Sequence, residues 1–149
     1  MARSPRNHEQ AYRNFIYSIQ LEEIRLTKME VKLDESVLTN SSVESTRPQF
    51  SPSFSVKVDG VYVIASARAK VSVDVVGRDN DDIVPLISMK LAFRLRYRIA
   101  DSEFVNPGVL RLFKERNVPV NAWPYMREIV SNTTVRMGFP ALVIPVRRR

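Results

Sequence analysis

The chain is predicted to be an α+β domain, a four-stranded antiparallel sheet with two C-terminal helices packed on one face. Two observations carry the prediction. Ala65, Ala67, Ala69, Val71, Val73 and Val75 alternate with Ser66, Arg68, Lys70, Ser72 and Asp74, and Leu91, Phe93, Leu95, Tyr97 and Ile99 alternate with Ala92, Arg94, Arg96 and Arg98. That two-residue period belongs to strands buried on one face and solvated on the other. The helical signals follow the strands and none lies between them, which is the order of an α+β domain. At 149 residues, 44% hydrophobic and 26% charged, the chain has the size and composition of one folded domain spanning residues 1–149.

Met1 to Gln10 is polar, has no pattern that could bury a face, and is expected to form a flexible leader. Phe15, Tyr17, Ile19 and Leu21 then alternate. Ile24 and Leu26 fall on the opposite parity, and Met29, Val31 and Leu33 return to the first. Two phase changes predict one long strand with bulges, because each extra residue flips the side chains that follow. A helix over residues 9–28 is the competing reading; the aromatic and β-branched residues before Leu21 favour the strand. Asp34 to Pro52 is rich in Ser, Thr and Asn, carries Pro48 and Pro52, and reads as a surface connection. Phe54, Val56 and Val58 form a short strand that turns at Asp59-Gly60 into the alternating run from Val61 to Val76. Gly77 to Asp82 is a polar hairpin connection to the last strand.

Asn106-Pro107 has the form of a helix cap followed by a first helical residue, with Leu110 and Phe113 anchoring a short helix to Arg116. Pro119 is expected to end it. The second helix is placed between Pro124, in its first turn, and Gly138, a left-handed cap with Pro140 beyond. Met126, Ile129, Val130, Thr133 and Met137 recur at helical spacing and give it one buried face. Leu142 to Val146 is a short apolar tail, and Arg147-Arg148-Arg149 a basic one.

The motif inventory argues against an enzyme. There is no cysteine, His8 is the single histidine, and the four glycines stand apart at 60, 77, 108 and 138, so no thiol chemistry, histidine triad or phosphate loop is available. Asp79, Asp81 and Asp82 lack the glycine turn and closing glutamate of a calcium loop. No cofactor and no metal are expected. No apolar run approaches the roughly 20 residues needed to span a bilayer, and the N-terminus lacks a signal peptide's apolar core, so no membrane insertion and a cytoplasmic location are expected. The formal net charge of +7 raises nucleic acid, anionic surfaces and acidic polypeptides as partners.

Arg94, Arg96 and Arg98 share one strand face, and Arg68 and Lys70 join them across the predicted hairpin. Polar alternation alone predicts a solvated face; the sharper reading is a charged docking surface for phosphates or carboxylates. Phe93 and Tyr97 have the opposite parity to these arginines. Single-strand nucleic-acid binding wants aromatic platforms among its basic residues, so the parity counts against a basic nucleic-acid-binding module, which stays as the alternative function.

Pro124-Tyr125, Arg127-Glu128, Ile129, Ser131, Val135, Arg136-x-Gly138, Phe139-Pro140 and Leu142-x-x-Pro145-Val146 resemble the C-terminal signature of the bacterial SecB-type export chaperones. Trp123 stands where that family has phenylalanine, and Met137 separates an arginine and a glycine that are adjacent there. The resemblance implies four antiparallel strands with two C-terminal helices, assembled as dimers and dimers of dimers, a homotetramer. It implies an ATP-independent chaperone that holds unfolded polypeptide in hydrophobic grooves. The peptide-binding residues would be Phe93, Tyr97, Phe104, Leu110, Phe113, Trp123, Tyr125, Met126, Met137 and Phe139, with aromatic and thioether side chains giving apolar contact without fixed geometry. Clients would be preproteins for export or a dedicated client such as an antitoxin. The family engages the export motor ATPase through an acidic face; this chain is basic, which places that partner in doubt and favours the dedicated client, whose acidic segments the arginines could meet.

Overall fold

In a computed structural model, which describes residues 5–39, 45–77 and 83–145, the chain opens with a helix. The elements are α1 (Pro5–Ser18), β1 (Ile19–Leu33), a single helical turn α2 (Ser36–Thr39), β2 (Ser45–Asp59), β3 (Tyr62–Val76) and β4 (Ile83–Ile99). A 3-10 turn (Ser102–Phe104), α3 (Pro107–Leu112), a π-helical turn (Phe113–Asn117) and α4 (Val118–Arg136) follow. The strands form one sheet in the order β1-β4-β3-β2, so β1 and β2 are its edges among the described residues. The predicted antiparallel sheet is present and the predicted C-terminal helices follow it, while α1 precedes the sheet and the turn α2 lies between β1 and β2. The predicted basic tail, Val146 and the Asp79 to Asp82 cluster lie outside the described residues, as do the first four residues of the expected leader.

The first correction is at the N-terminus. From Pro5 onward the expected leader is helical, and Phe15 and Tyr17 belong to α1, not to a strand. Their alternation with Ile19 is accidental: Phe15 is fully buried while Tyr17 is 90% exposed. The helix-spaced set Ala11, Tyr12, Phe15 and Ile16 supplies the face that packs. The strand proper starts at Ile19, and the expected bulges are visible in its register. Ala100 N–H donates to the Ser18 carbonyl at 2.8 Å and Asp34 N–H to the Leu86 carbonyl at 2.9 Å. Between those bonds the β1 side advances sixteen residues (18 to 34) while the β4 side retreats fourteen (100 to 86). The β1 side thus carries two more residues than its partner.

The second correction is β2, which begins at Ser45, inside the segment expected to be a surface connection. Its composition misleads because the strand is an edge with most residues exposed, where polar side chains face water. Proline is tolerated at an edge, since an outward backbone position needs no N–H.

Contacts group the chain into two compact units. The first comprises Met1–Leu26, Phe54–Ala67 and Phe93–Pro124. Its core is Phe15, the odd-numbered faces of β3 and β4 (Val63, Ala65, Ala67; Phe93, Leu95, Tyr97, Ile99), and Val109, Phe113, Val118 and Ala122 from the helices. The second comprises Thr27–Ser53, Arg68–Ala92 and Tyr125–Arg149. There Val71, Val73, Met89 and Leu91 line the sheet while Met126, Val130, Thr134 and Ile144 close the core from the C-terminal side.

The predicted cap at Asn106 is present: its side chain accepts from Val109 N–H at 3.0 Å with Pro107 behind it. Pro119, however, does not separate two helices. The helical path continues through the π-turn, in which Val118 N–H reaches the Phe113 carbonyl five residues back. A proline ring collides with the carbonyl four residues earlier in a regular α-helix, and the wider turn before Pro119 relieves that collision. As a result α4 begins at Val118, and Pro124 lies inside it, not in its first turn. The predicted end is correct in detail. Gly138 has φ +86, its N–H donates to the Val135 carbonyl at 3.0 Å, and Phe139 N–H donates to Thr134 at 3.1 Å, a Schellman closure. Gly138→Ala is expected to cost about 1–2 kcal/mol, the penalty of a β-carbon in the left-handed region; a urea melt checks this, and an unchanged midpoint would refute it.

Candidate polypeptide-binding surface

The ten residues expected to line a binding groove separate sharply by burial. In the first unit Phe93, Tyr97 and Phe113 are sealed in the core, whereas Phe104, Leu110 and Trp123 are half-buried. In the second unit Met126 is sealed, Met137 and Phe139 are half-buried, and Tyr125 is 44% exposed. The assignment of Phe93, Tyr97, Phe113 and Met126 to an open surface is therefore corrected. Phe93 and Tyr97 lie on the inward face of β4, where the two-residue period had already put them. Phe113 and Met126 occupy the inward faces of the helices.

What seals Phe113 is α1, which the competing helix reading over residues 9–28 covers from Glu9 to Ser18. The Phe15 ring of α1 stands edge-on to Phe113 at 5.3 Å between centroids, and Phe113 stands edge-on to Tyr97 at 4.8 Å. Edge-to-face geometry puts the positive rim of one ring on the negative face of the next. Behind this stack the Asn121 Nδ2 donates to the Tyr97 hydroxyl at 2.9 Å and to Asn117 Oδ1 at 2.9 Å. Burial pushes the Tyr97 phenol up to about 12, opposed in part by the hydrogen bond from Asn121. On the rim, Arg116 Nη1 meets both carboxylate oxygens of Glu9 at 3.0 and 3.2 Å, and its guanidinium carbon lies 5.5 Å from the Tyr12 ring.

In the second unit α4 holds the chain that follows it. Arg127 Nε donates to the Ile144 carbonyl at 2.9 Å, and the Leu142 N–H donates to the buried Thr134 hydroxyl at 2.9 Å. Thr134 in turn donates back to the Val130 and Ser131 carbonyls. These two anchors seat Ile144 in the core and leave Val143 exposed. Val135, Leu38, Met29 and Val31 add exposed apolar area to the same unit. Met29 and Val31 sit in β1 between charged neighbours, so alternation did not mark them as surface residues.

Of the charged set expected to form a docking surface, Arg94, Arg96 and Arg98 fall in the first unit and Arg68 and Lys70 in the second. Arg96 lies 3.5 and 3.6 Å from the carboxylates of Glu22 and Glu23 on β1 and stacks 5.1 Å over the Tyr62 ring; Arg98 reaches Glu22 at 3.9 Å. These partners come from the neighbouring strand and neutralise two of the three arginines. Arg68, Lys70 and Arg94 are exposed. Among the described residues no group of three or more acidic or histidine side chains could hold a metal ion, and no helix is long and apolar enough to cross a membrane.

No protein-family model matches the chain, and no curated protein matches it. A solved structure does. The SecB-like chaperone Rv1957 of Mycobacterium tuberculosis, solved in complex with a ChAD peptide from the Rv1956 HigA1 antitoxin, superposes with a TM-score of 0.77 over 94% of this chain and 98% of that one. The chain has a SecB-like fold. At 13% identity the likeness is one of fold, and it extends the resemblance read from residues 123–146 to nearly the whole chain. A protein of unknown function from Streptococcus agalactiae is similar at a TM-score of 0.40 and 8% identity, covering 86% of this chain and 97% of that chain, too low to support an argument.

Proposed function

We propose that the protein is an ATP-independent SecB-like chaperone that binds non-native polypeptide, with a dedicated client such as an antitoxin favoured over general export. The observation that carries this reading is the fold shared, over 94% of the chain, with a SecB-like chaperone holding an antitoxin peptide. The surface supports it. Half-buried Phe104, Leu110 and Trp123 in one unit, and Met137, Phe139 and exposed Tyr125 in the other, present large side chains to which an extended apolar segment can bind without fixed geometry. The edge strands β1 and β2 offer backbone hydrogen bonds that read no side chain. Binding of this kind requires neither nucleotide nor catalytic group. The reading includes a cytoplasmic location and assembly as a dimer of dimers, for which exposed Met29 and Val31 on β1 supply apolar area. Pairing of Arg96 and Arg98 with Glu22 and Glu23 weakens the nucleic-acid alternative.

The protein is expected to slow aggregation of a chemically denatured model protein at near-stoichiometric ratio without ATP. An aggregation time course identical to buffer alone, from protein shown to be folded by circular dichroism, would overturn the reading.

A further inference from the structure

We propose that α1 is an intramolecular stand-in for a client segment, which holds the Phe113–Tyr97 aromatic pair covered and yields when non-native polypeptide binds. The inference rests on the chaperone reading above and adds how its apolar surface is guarded. The contact has two parts of different character. Inside, a single fully buried side chain of α1, Phe15, inserts edge-on against Phe113. Outside, the helix is clamped by an exposed ion pair between Glu9 and Arg116, with the half-buried Tyr12 ring beside the guanidinium. The remaining packed residues, Ala11, Asn14 and Ile16, are only half-buried, and Asn7 to Gln10 are exposed.

One inserted ring, a half-buried flank against α3 and the 3-10 turn, and a screened ion pair make a contact that a competing segment can replace. A client that presents an aromatic side chain to Phe113 restores what Phe15 gave, and the exposed clamp is weak in water. The junction is suited to such an exchange. Helix passes to strand without a connecting residue at Ser18–Ile19, and the Ser18 carbonyl is fixed by Ala100 N–H at 2.8 Å. Thus α1 can detach while β1 keeps its pairing. Occupancy by α1 lowers the apparent affinity for clients by the fraction of molecules in which it is released, so loosening the clamp must tighten client binding.

The test uses the full chain and a fluorescein-labelled, reduced and carboxymethylated α-lactalbumin as the unfolded probe, read by anisotropy. Glu9→Arg is expected to tighten probe binding about two- to fivefold, the range an exposed ion pair supports. The double variant Glu9→Arg with Arg116→Glu restores an opposed pair and is expected to return to wild-type affinity. Lys90→Glu, a charge reversal at an exposed position of the central strand β4 in the other unit, is the control and is expected to bind as wild type. Hydrogen exchange at saturating probe is expected to accelerate over residues 9–18. Wild-type affinity for Glu9→Arg, equal tightening by Lys90→Glu, or unchanged exchange over residues 9–18 would overturn the role of α1 while leaving the chaperone reading intact. No probe binding by any of the four proteins would overturn both.

Discussion

Phe113→Ala is expected to lower stability by about 3–5 kcal/mol, the usual cost of truncating a buried phenylalanine, and to reduce the melting temperature by roughly 10 °C. The magnitude follows from its position. Phe113 has no exposed surface, opens the π-turn, and stands edge-on to Phe15 on one side and Tyr97 on the other. Removing the ring leaves a cavity flanked by two aromatic residues whose own places are fixed by a helix and a strand, so little collapse can fill it. Phe113→Leu keeps most of the volume but loses both aromatic contacts, and about 1–2 kcal/mol is expected. Tyr125→Ala, at an exposed position, is expected to change stability by less than about 0.5 kcal/mol. Thermal melts of the three variants separate core from surface among residues that the sequence grouped together. Equal midpoints for Phe113→Ala and Tyr125→Ala would contradict the burial described.

The difference between those residues marks what the sequence could reveal. The two central strands were legible because β3 and β4 bury one face only, and that writes a two-residue period directly into the chain. Asn106, Gly60 and Gly138 were legible because a cap or a positive φ admits few residue types. The second half of edge strand β2 was legible from Phe54, Val56 and Val58, but its first half was not, since exposure there leaves a composition resembling a loop. Helix α1 was legible only as the competing reading over residues 9–28: one fully buried phenylalanine is a sparse pattern, and the chance alternation of Phe15, Tyr17 and Ile19 pointed to a strand. The same gap bears on burial at the candidate site. Large, soft side chains near the C-terminus can be read from the sequence, yet whether each meets solvent depends on what packs over it, and for Phe113 that partner comes from a segment nearly a hundred residues earlier.

Stability is expected to fall as the pH is raised beyond 10, and Tyr97 is expected to account for a resolvable part of the fall. Its phenol is pushed from 10.0 to about 12 by burial, against the opposing hydrogen bond from Asn121. In the unfolded chain the group ionises near 10.0, while in the folded protein it stays protonated until about 12. Below pH 10 both states hold the proton and stability does not change on its account. Above it the unfolded state alone releases the proton, which draws the equilibrium toward unfolding, with a loss approaching 2–3 kcal/mol by about pH 12. Tyr97→Phe removes this dependence but also removes the acceptor for Asn121, which keeps Asn117 as its other partner. The variant should therefore be about 1 kcal/mol less stable at pH 7. The two stability curves then cross a little below pH 11, where the wild-type loss has reached about 1 kcal/mol. Urea denaturation of both proteins at several pH values between 7 and 11.5 measures the crossing. Parallel curves would mean that the Tyr97 hydroxyl ionises as freely in the folded protein as in the unfolded one, and that the aromatic stack does not exclude water from it.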